Sequence, residues 1–405
     1  MSYAYGTKGA PAVGGGVPGL PRRTESGGLS GNVRRFDSDP GSGWVEMLGE
    51  PIDNPKLFAL WGSNVPGMLT SNKLPNPSTL PPDSGYGVAF SPDGGSLVVA
   101  HNGSPYIAIY NRSGDTFTKL PNPSTLPSNA GRGVTFSPDG NYLAIGHISS
   151  PYITIYKRSG DTFTKLPNPS ELPRGNGRSV AFSPDGGYLA VGHEESPRIT
   201  IYRRSGDTFT KLPNPSELPT SDGLGVAFSP DGNYLAVAHI SGPSITIYKR
   251  SGDTFTKLPN PSELPANTGR CVAFSPDGSY LAVGHSAGSY ITIYKRSGDT
   301  FTKLPNPSEL PTSNVYGVAF SPDGGSLVVG HSSSSYIFIY KRSGDTFTKM
   351  PNPSELPTSN VYGVTFSPDG NYLAVANITS PYIIIYGSGT KLILPFWPKH
   401  YLRVK

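Results

Sequence analysis

The chain has 405 residues, of which 50 are Gly and 43 Pro, about double the share found in an ordinary globular domain. Charged residues make up 15% and the formal net charge is +5, too mild a balance to mark a nucleic-acid binder. No apolar run approaches the ~18 residues of a membrane helix. The 23 Tyr and 17 Phe argue against wholesale disorder, so the composition leaves short strands and many turns.

In chain order, residues 1–35 read as an irregular, flexible Gly/Pro/Ser/Arg arm without hydrophobic periodicity. Residues 1–23 lack the continuous apolar core of a secretory signal. Residues 36–67 read as a degenerate, strand-rich connector. Within it, residues 36–48 imitate a strand, a turn and a strand, and residues 57–61 are a further strand candidate.

From residue 68 to 396 one pattern takes over. Phe-Ser-Pro-Asp-Gly begins at Phe90, Phe136, Phe182, Phe228, Phe274, Phe320 and Phe366, always 46 residues apart. Within one unit, Gly133-Val134-Thr135-Phe136 is a short apolar strand. Ser137-Pro138-Asp139-Gly140 is a turn, because Pro presets φ and Gly accepts the positive φ that closes it. Tyr142 to Gly146 and Tyr152 to Tyr156 are two further strands, rich in β-branched and aromatic residues. Thr162 to Leu166 is a fourth, and the Pro-rich stretch that follows runs extended to the next unit.

Four antiparallel strands repeated seven times predict an all-β fold, a seven-bladed β-propeller of four-stranded antiparallel blades. The small residues at the start of the first strand, Gly87, Gly133, Ser179, Gly225, Cys271, Gly317 and Gly363, suit strands converging on an axis. Cys271 then reads as a small buried filler rather than a reactive thiol. The last unit has two candidate closing strands: residues 68–74, or Lys391-Leu392-Ile393-Leu394 through the short turn at Gly387-Ser388-Gly389-Thr390. The local hairpin is the expectation. Residues 397–405 form a tail, and its apolar stretch from Phe396-Trp397 to Tyr401-Leu402 is expected to pack on the body or on a partner.

The Phe-Ser-Pro-Asp-Gly turn, the Tyr-Leu-Ala-Val strand and the Ile-Thr-Ile-Tyr strand together resemble the WD-repeat-like propellers. Tyr110, Tyr156, Tyr202 and their equivalents stand where that family ends its third strand in Trp-Asp. The near-identity of the copies is similar to the repeat proteins of tailed bacteriophages. That resemblance implies a virion component.

Comparison of the units with one another locates the variation. The turns after strands one and three hardly change. The loop after strand two and the loop before strand one do change, and a meander brings these two to one end of each blade. The second loop ends in Tyr86, Arg132, Arg178, Leu224, Arg270, Tyr316 and Tyr362, and the first carries the acid pair Glu194 and Glu195. Tyr and Arg suit binding surfaces, so these residues are the candidate recognition face. Six of the seven histidines recur at the end of strand two, with Asn377 in the seventh place. Sheets that pack at about 10 Å do not bring such a ring to one ion with ~2 Å bonds, so hydrogen bonds to loop backbone are expected of it. Asp93, Asp115 and their equivalents read as turn caps. The bases of the third turn, such as Lys157-Arg158, read as a solvated face.

No catalytic set, metal site or cofactor is expected. The chain reads as a non-enzymatic structural and interaction protein, a phage head or tail appendage, decoration or host-surface adhesin. Residues 1–35 would anchor it to other virion or scaffold subunits, and the varied face would meet a host glycan or protein. The alternatives are a cytoplasmic carbohydrate-binding or scaffold propeller and, more distantly, a lactonase-like hydrolase. No nucleic-acid partner and no membrane span are expected.

Overall fold

In the computed structural model, residues 33–35, 44–46, 71–388 and 400–403 are described. Residues 73–387 form one compact unit of seven four-stranded antiparallel sheets. Blade two is typical: Gly131–Phe136, Tyr142–His147, Ile153–Ser159 and Thr162–Lys165, paired in that order. The inner strand of each blade packs against the inner strands of both neighbours, and the seventh, Val361–Phe366, returns to the first, Gly85–Phe90. The all-β, seven-bladed architecture read from the sequence is the one observed. No helix among the described residues is long and apolar enough to cross a membrane.

The ring is tight because its inner strands carry almost no side chain where they meet. A Cβ on Gly87 would lie 2.6 Å from the Arg132 carbonyl, and one on Gly363 would lie 2.5 Å from that of Tyr86. The second strand of blade two is buried along its whole length, because a neighbouring sheet covers each face. The apolar cores therefore lie between blades. One of them joins Tyr234, Ala236, Ile245 and Ile247 of blade four to Val272, Leu281, Tyr294 and Phe301 of blade five. Tyr156, in the place of Trp-Asp, is fully buried, and its hydroxyl donates to the Thr125 carbonyl at 2.8 Å.

Polar side chains lock each blade to the one before it. In the turn of blade four, the Asp231 carboxylate accepts the hydroxyl of Ser229 and, at 3.1 Å, the N–H of Asn233. Its other oxygen accepts Arg296 of blade five at 2.9 Å. That guanidinium lies 4.7 Å over the ring of Tyr234. The hydroxyl of Tyr234 in turn donates to Asp299 of blade five at 2.5 Å, and Lys249 reaches the same carboxylate at 2.7 Å. Burial alone would raise the Asp231 carboxyl, but the bonds from Ser229, Asn233 and Arg296 outweigh it and hold it at about 2.

The turn acids therefore do more than cap their own turns. The arginines of the third turn are not a solvated face: Arg158, Arg204, Arg250, Arg296, Arg342 and Arg112 each pair with the acid of the preceding blade, and Arg158 is 12% exposed. The neighbouring lysines, such as Lys157, stay half exposed and pair with the second acid. Only the seam between blades six and seven lacks the arginine, because the sequence has Ser388 at that place and Ser326 where most blades carry Tyr.

Two expectations about the ends change. Blade seven closes with Ser71–Lys73 as its outer strand, not with a local hairpin. The Leu74 N–H donates to the Ile385 carbonyl at 2.8 Å, the bond that Leu166 makes to Ile155 in blade two. The Lys-Leu-Pro-Asn-Pro motif that ends the fourth strand of the other blades, with Met350 for the Leu in blade six, recurs here, so residues 71–74 fit the place. The Leu392 segment lies outside the described residues, as do residues 57–61. Apart from the ring, Val33–Arg35 and Trp44–Glu46 flank His400–Arg403 in a three-stranded antiparallel sheet. Trp44–Glu46 thus pairs with the tail, while residues 36–39, the other strand of the expected imitation, lie outside the described residues. The last three residues assigned to the arm are a strand of this sheet.

The histidine ring is structural, as its spacing implied. His101, His147, His193, His239, His285 and His331 are fully buried. Nε2 of His147 and Oγ1 of Thr154 are 3.0 Å apart, and the same pair recurs as His193 with Thr200, His239 with Thr246 and His285 with Thr292. The partner is therefore a threonine on the third strand, in addition to loop groups such as the Glu194 carbonyl beside His193 at 2.7 Å. Where the sequence replaces the threonine, the bond is lost. Blade one has Ala108, and among the described residues neither ring nitrogen of His101 has a side-chain partner; blade six has Phe338, which meets the His331 ring edge-on at 4.9 Å. Asn377 donates to Ser359 Oγ and to the Thr379 carbonyl.

Two predictions follow from these locks. Asp231→Ala removes turn bonds and the inter-blade arginine and is expected to cost roughly 1–3 kcal/mol. Asp323→Ala removes only the equivalent turn bonds and should cost about 1 kcal/mol less; urea denaturation of both variants measures the difference, and equal losses would rule out the arginine as a contributor. Burial lowers His101, His147, His239 and His331 from 6.5 to about 4. The unfolded chain takes up these protons below about pH 6.5 while the folded chain resists them until about pH 4. Stability should be full above pH 6.5 and fall through that interval, by up to ~1.4 kcal/mol per pH unit for each histidine. Thermal midpoints of the wild type and of His147→Asn/His239→Asn, measured from pH 7 to 4.5, check this: the variant should show the shallower decline.

Candidate functional site

Each inner strand begins with a bulge. In blade one Gly85 pairs with His101 and Gly87 with Ala100, so Tyr86 is the extra residue between them. The same shift occurs in all seven blades. A bulge re-aims its residue and frees it from the alternation of the strand. The seven bulged residues are Tyr86, Arg132, Arg178, Leu224, Arg270, Tyr316 and Tyr362, and all are half-buried. The two varied loops do share one end of the blade. The Asn102 N–H donates to the Ser84 carbonyl at 3.0 Å, and that of Ile148 donates to the Ala130 carbonyl at 3.3 Å.

Five of the seven bulged side chains form a continuous arc across neighbouring blades. The Arg132 guanidinium lies 3.7 Å over the ring of Tyr86. Tyr86 meets Tyr362 edge-on at 5.0 Å, and Tyr362 stacks on Tyr316 at 4.3 Å. Arg270 lies 4.8 Å over Tyr316. The order Arg–Tyr–Tyr–Tyr–Arg follows blades two, one, seven, six and five. Burial, together with the neighbouring Tyr316 and Tyr86, raises the Tyr362 phenol above its ordinary value, so its hydroxyl is a protonated donor at neutral pH.

The remaining positions behave differently. Arg178 is committed within its own blade: its Nε donates to Glu194 Oε1 at 2.7 Å, and its Nη2 donates to the same oxygen. Asn176 holds the other oxygen at 2.8 Å. Glu194 is thus not half of an acid pair, and Glu195 is exposed at a positive φ of 61°. Leu224 has no place in the arc. Of the nine residues singled out from the sequence, five therefore come together, two pair with each other, and two stand apart.

Sequence comparison of the units missed the bond between Arg178 and Glu194. Part of the signal was available, since Glu194 is an acid where none of the six sibling units has one. It also missed that the aromatic members are consecutive around the ring, which is visible only once blade seven lies beside blade one. Cys271 sits at the small-residue position, with its thiol 4.0 Å from the Val315 carbonyl. Burial pushes it up to about 12, the direction opposite to that of a reactive thiolate. Among the described residues no cluster of His, Cys, Asp or Glu is arranged to hold a metal ion.

The sequence model of the WD40 family, WD domain, G-beta repeat, matches residues 263–295, 307–341 and 354–380. No curated protein matches the chain. Among solved structures, a chain of the hydrazine synthase of Kuenenia stuttgartiensis is similar at a TM-score of 0.61 and 17% identity, covering 80% of this chain and 99% of that one. At that identity the likeness is one of fold. The three matched segments fall on blades five to seven, and blades one to four repeat the same turn, the same buried tyrosine and the same register. What recurs every 46 residues is one four-stranded blade, and the chain is a seven-bladed β-propeller that carries WD40-type repeats over the three matched segments.

Proposed function

We propose that the chain is a non-enzymatic recognition propeller that binds its partner on the arc formed by Arg132, Tyr86, Tyr362, Tyr316 and Arg270. The observation that carries this reading is the placement of the arc. The variation between otherwise near-identical blades concentrates on the bulge residues and the loops beside them, at one end of the ring. Rigid aromatics and arginines give contact area and directed donors at small entropic cost. The opposite end, by contrast, is occupied by acids, arginines and lysines that bind one another across the seams. The inner strands carry Gly, Ala, Val, Thr and Phe, which favours binding over acid–base chemistry at the axis.

The finer assignment rests on the near-identity of the repeats, which is similar to that of phage repeat proteins. We place the protein in the virion, as an appendage or host-surface adhesin held to other subunits by residues 1–35. Cryo-electron microscopy of the native particle tests this directly: the propeller should be seen at a fixed site, and its absence from the particle removes the virion assignment.

The recognition reading is tested by screening the full chain against arrays of peptides and glycans. Ligands should be lost, by tenfold or more, in Arg132→Ala/Tyr362→Ala/Arg270→Ala. They should be retained in Lys157→Ala/Lys249→Ala at the opposite end. The reverse pattern would place recognition elsewhere.

A further inference from the structure

Resting on that reading, we infer that the arc takes an acidic peptide, whose carboxylates seat on Arg132 and Arg270. The chain contains its own template for this contact. Arg178 occupies the same bulge position in blade three and is bound by the carboxylate of Glu194, through Nε and Nη2. At the place of Glu194, blade two has Ile148 and blade five has Ser286. The consequence is visible at the arginines. Nε of Arg132 and Nε of Arg270 are buried without a hydrogen-bond partner. Neither guanidinium has a carboxylate partner among the described residues.

One of the three equivalent arginines is therefore filled from within, and two are held ready without their counter-charge. The tyrosines do the holding. A guanidinium stacked on an aromatic ring keeps its planar edge free for a carboxylate, and the stacking fixes its orientation before the ligand arrives. Two such groups, separated by three tyrosines, ask for at least two acids on one chain.

The geometry favours a peptide over a saccharide. A sugar ring needs an open aromatic face to lie on. Here Tyr316 and Tyr362 stack on each other, and arginines cover Tyr86 and Tyr316. What the arc presents is hydroxyl groups and guanidinium edges, a row of donors. An extended peptide with Asp or Glu side chains offers acceptors along its backbone as well as at its charges.

The test uses the full chain and fluorescein-labelled Gly-based peptides carrying two Glu at graded spacing, with Gln counterparts and an oligogalacturonate as the saccharide arm. Fluorescence polarisation should show binding of a Glu peptide at least tenfold tighter than its Gln version, weakened by salt. Ile148→Glu/Ser286→Glu, which supplies both arginines with an internal acid, should cut that binding at least tenfold, as should Arg132→Gln/Arg270→Gln. Glu194→Gln, which frees the third arginine, should tighten it several-fold. Unchanged thermal midpoints verify that the variants fold.

Equal binding of Glu and Gln peptides, or indifference to Ile148→Glu/Ser286→Glu, overturns the inference. So does binding of the oligogalacturonate without binding of the peptides. If no Glu peptide binds while array ligands still depend on the arc, the acidic-peptide inference fails and the recognition reading stands. If nothing depends on the arc, both fail.

Discussion

The ring is held by a carboxylate with two duties. One oxygen of each turn aspartate shapes its own hairpin, and in six of the seven blades the other receives the arginine of the following blade, as Asp231 does for Arg296. Because one group serves both purposes, a blade cannot form its turn correctly without also presenting the socket for its neighbour. Local folding and ring assembly are thereby coupled. The arginine is in turn stacked on a tyrosine whose hydroxyl returns to the next blade's second aspartate. Five of the seven seams carry this closed circuit of charge, ring and hydroxyl, in which the arginine is largely shielded from water while the acids and lysines stay partly exposed.

This coupling explains why so much of the unit is invariant and where change is tolerated. The turn, the buried second strand and the buried tyrosine all face a neighbour. The bulge residue does not belong to the circuit, and its side chain is set by its position in a two-to-one pairing rather than by packing. A rigid body with one free position per blade is the arrangement in which specificity can change without loss of fold.

The sequence carried the fold almost completely, because a period of 46 residues repeated seven times is a global signal. The strands, the turns, the shared end of the varied loops and the structural role of the histidines were all readable from it. What escaped depended on distances around the ring. Asp231 and Arg296 are far apart in the chain but meet across one seam, so reading within a unit assigned the acid to its own turn and the base to solvent. The closing strand was misjudged for a similar reason: the loop between residues 387 and 390 favoured a hairpin by length, whereas the motif at residues 73–77 decides by fit. The arc was legible as residues and illegible as a surface, since its continuity requires Tyr86 and Tyr362 to be neighbours.

Because the middle units, such as blades three and four, carry the same acids, tyrosine and arginine at their seams, one can be exchanged for another with the seams kept. Such an exchange would rewrite the bulge residue and the two varied loops at that end and leave the seams in place. The seven-fold copy is thus an alphabet as well as a scaffold: recombination among its own segments, with no new mutation, can permute which residue stands at which point of the circle.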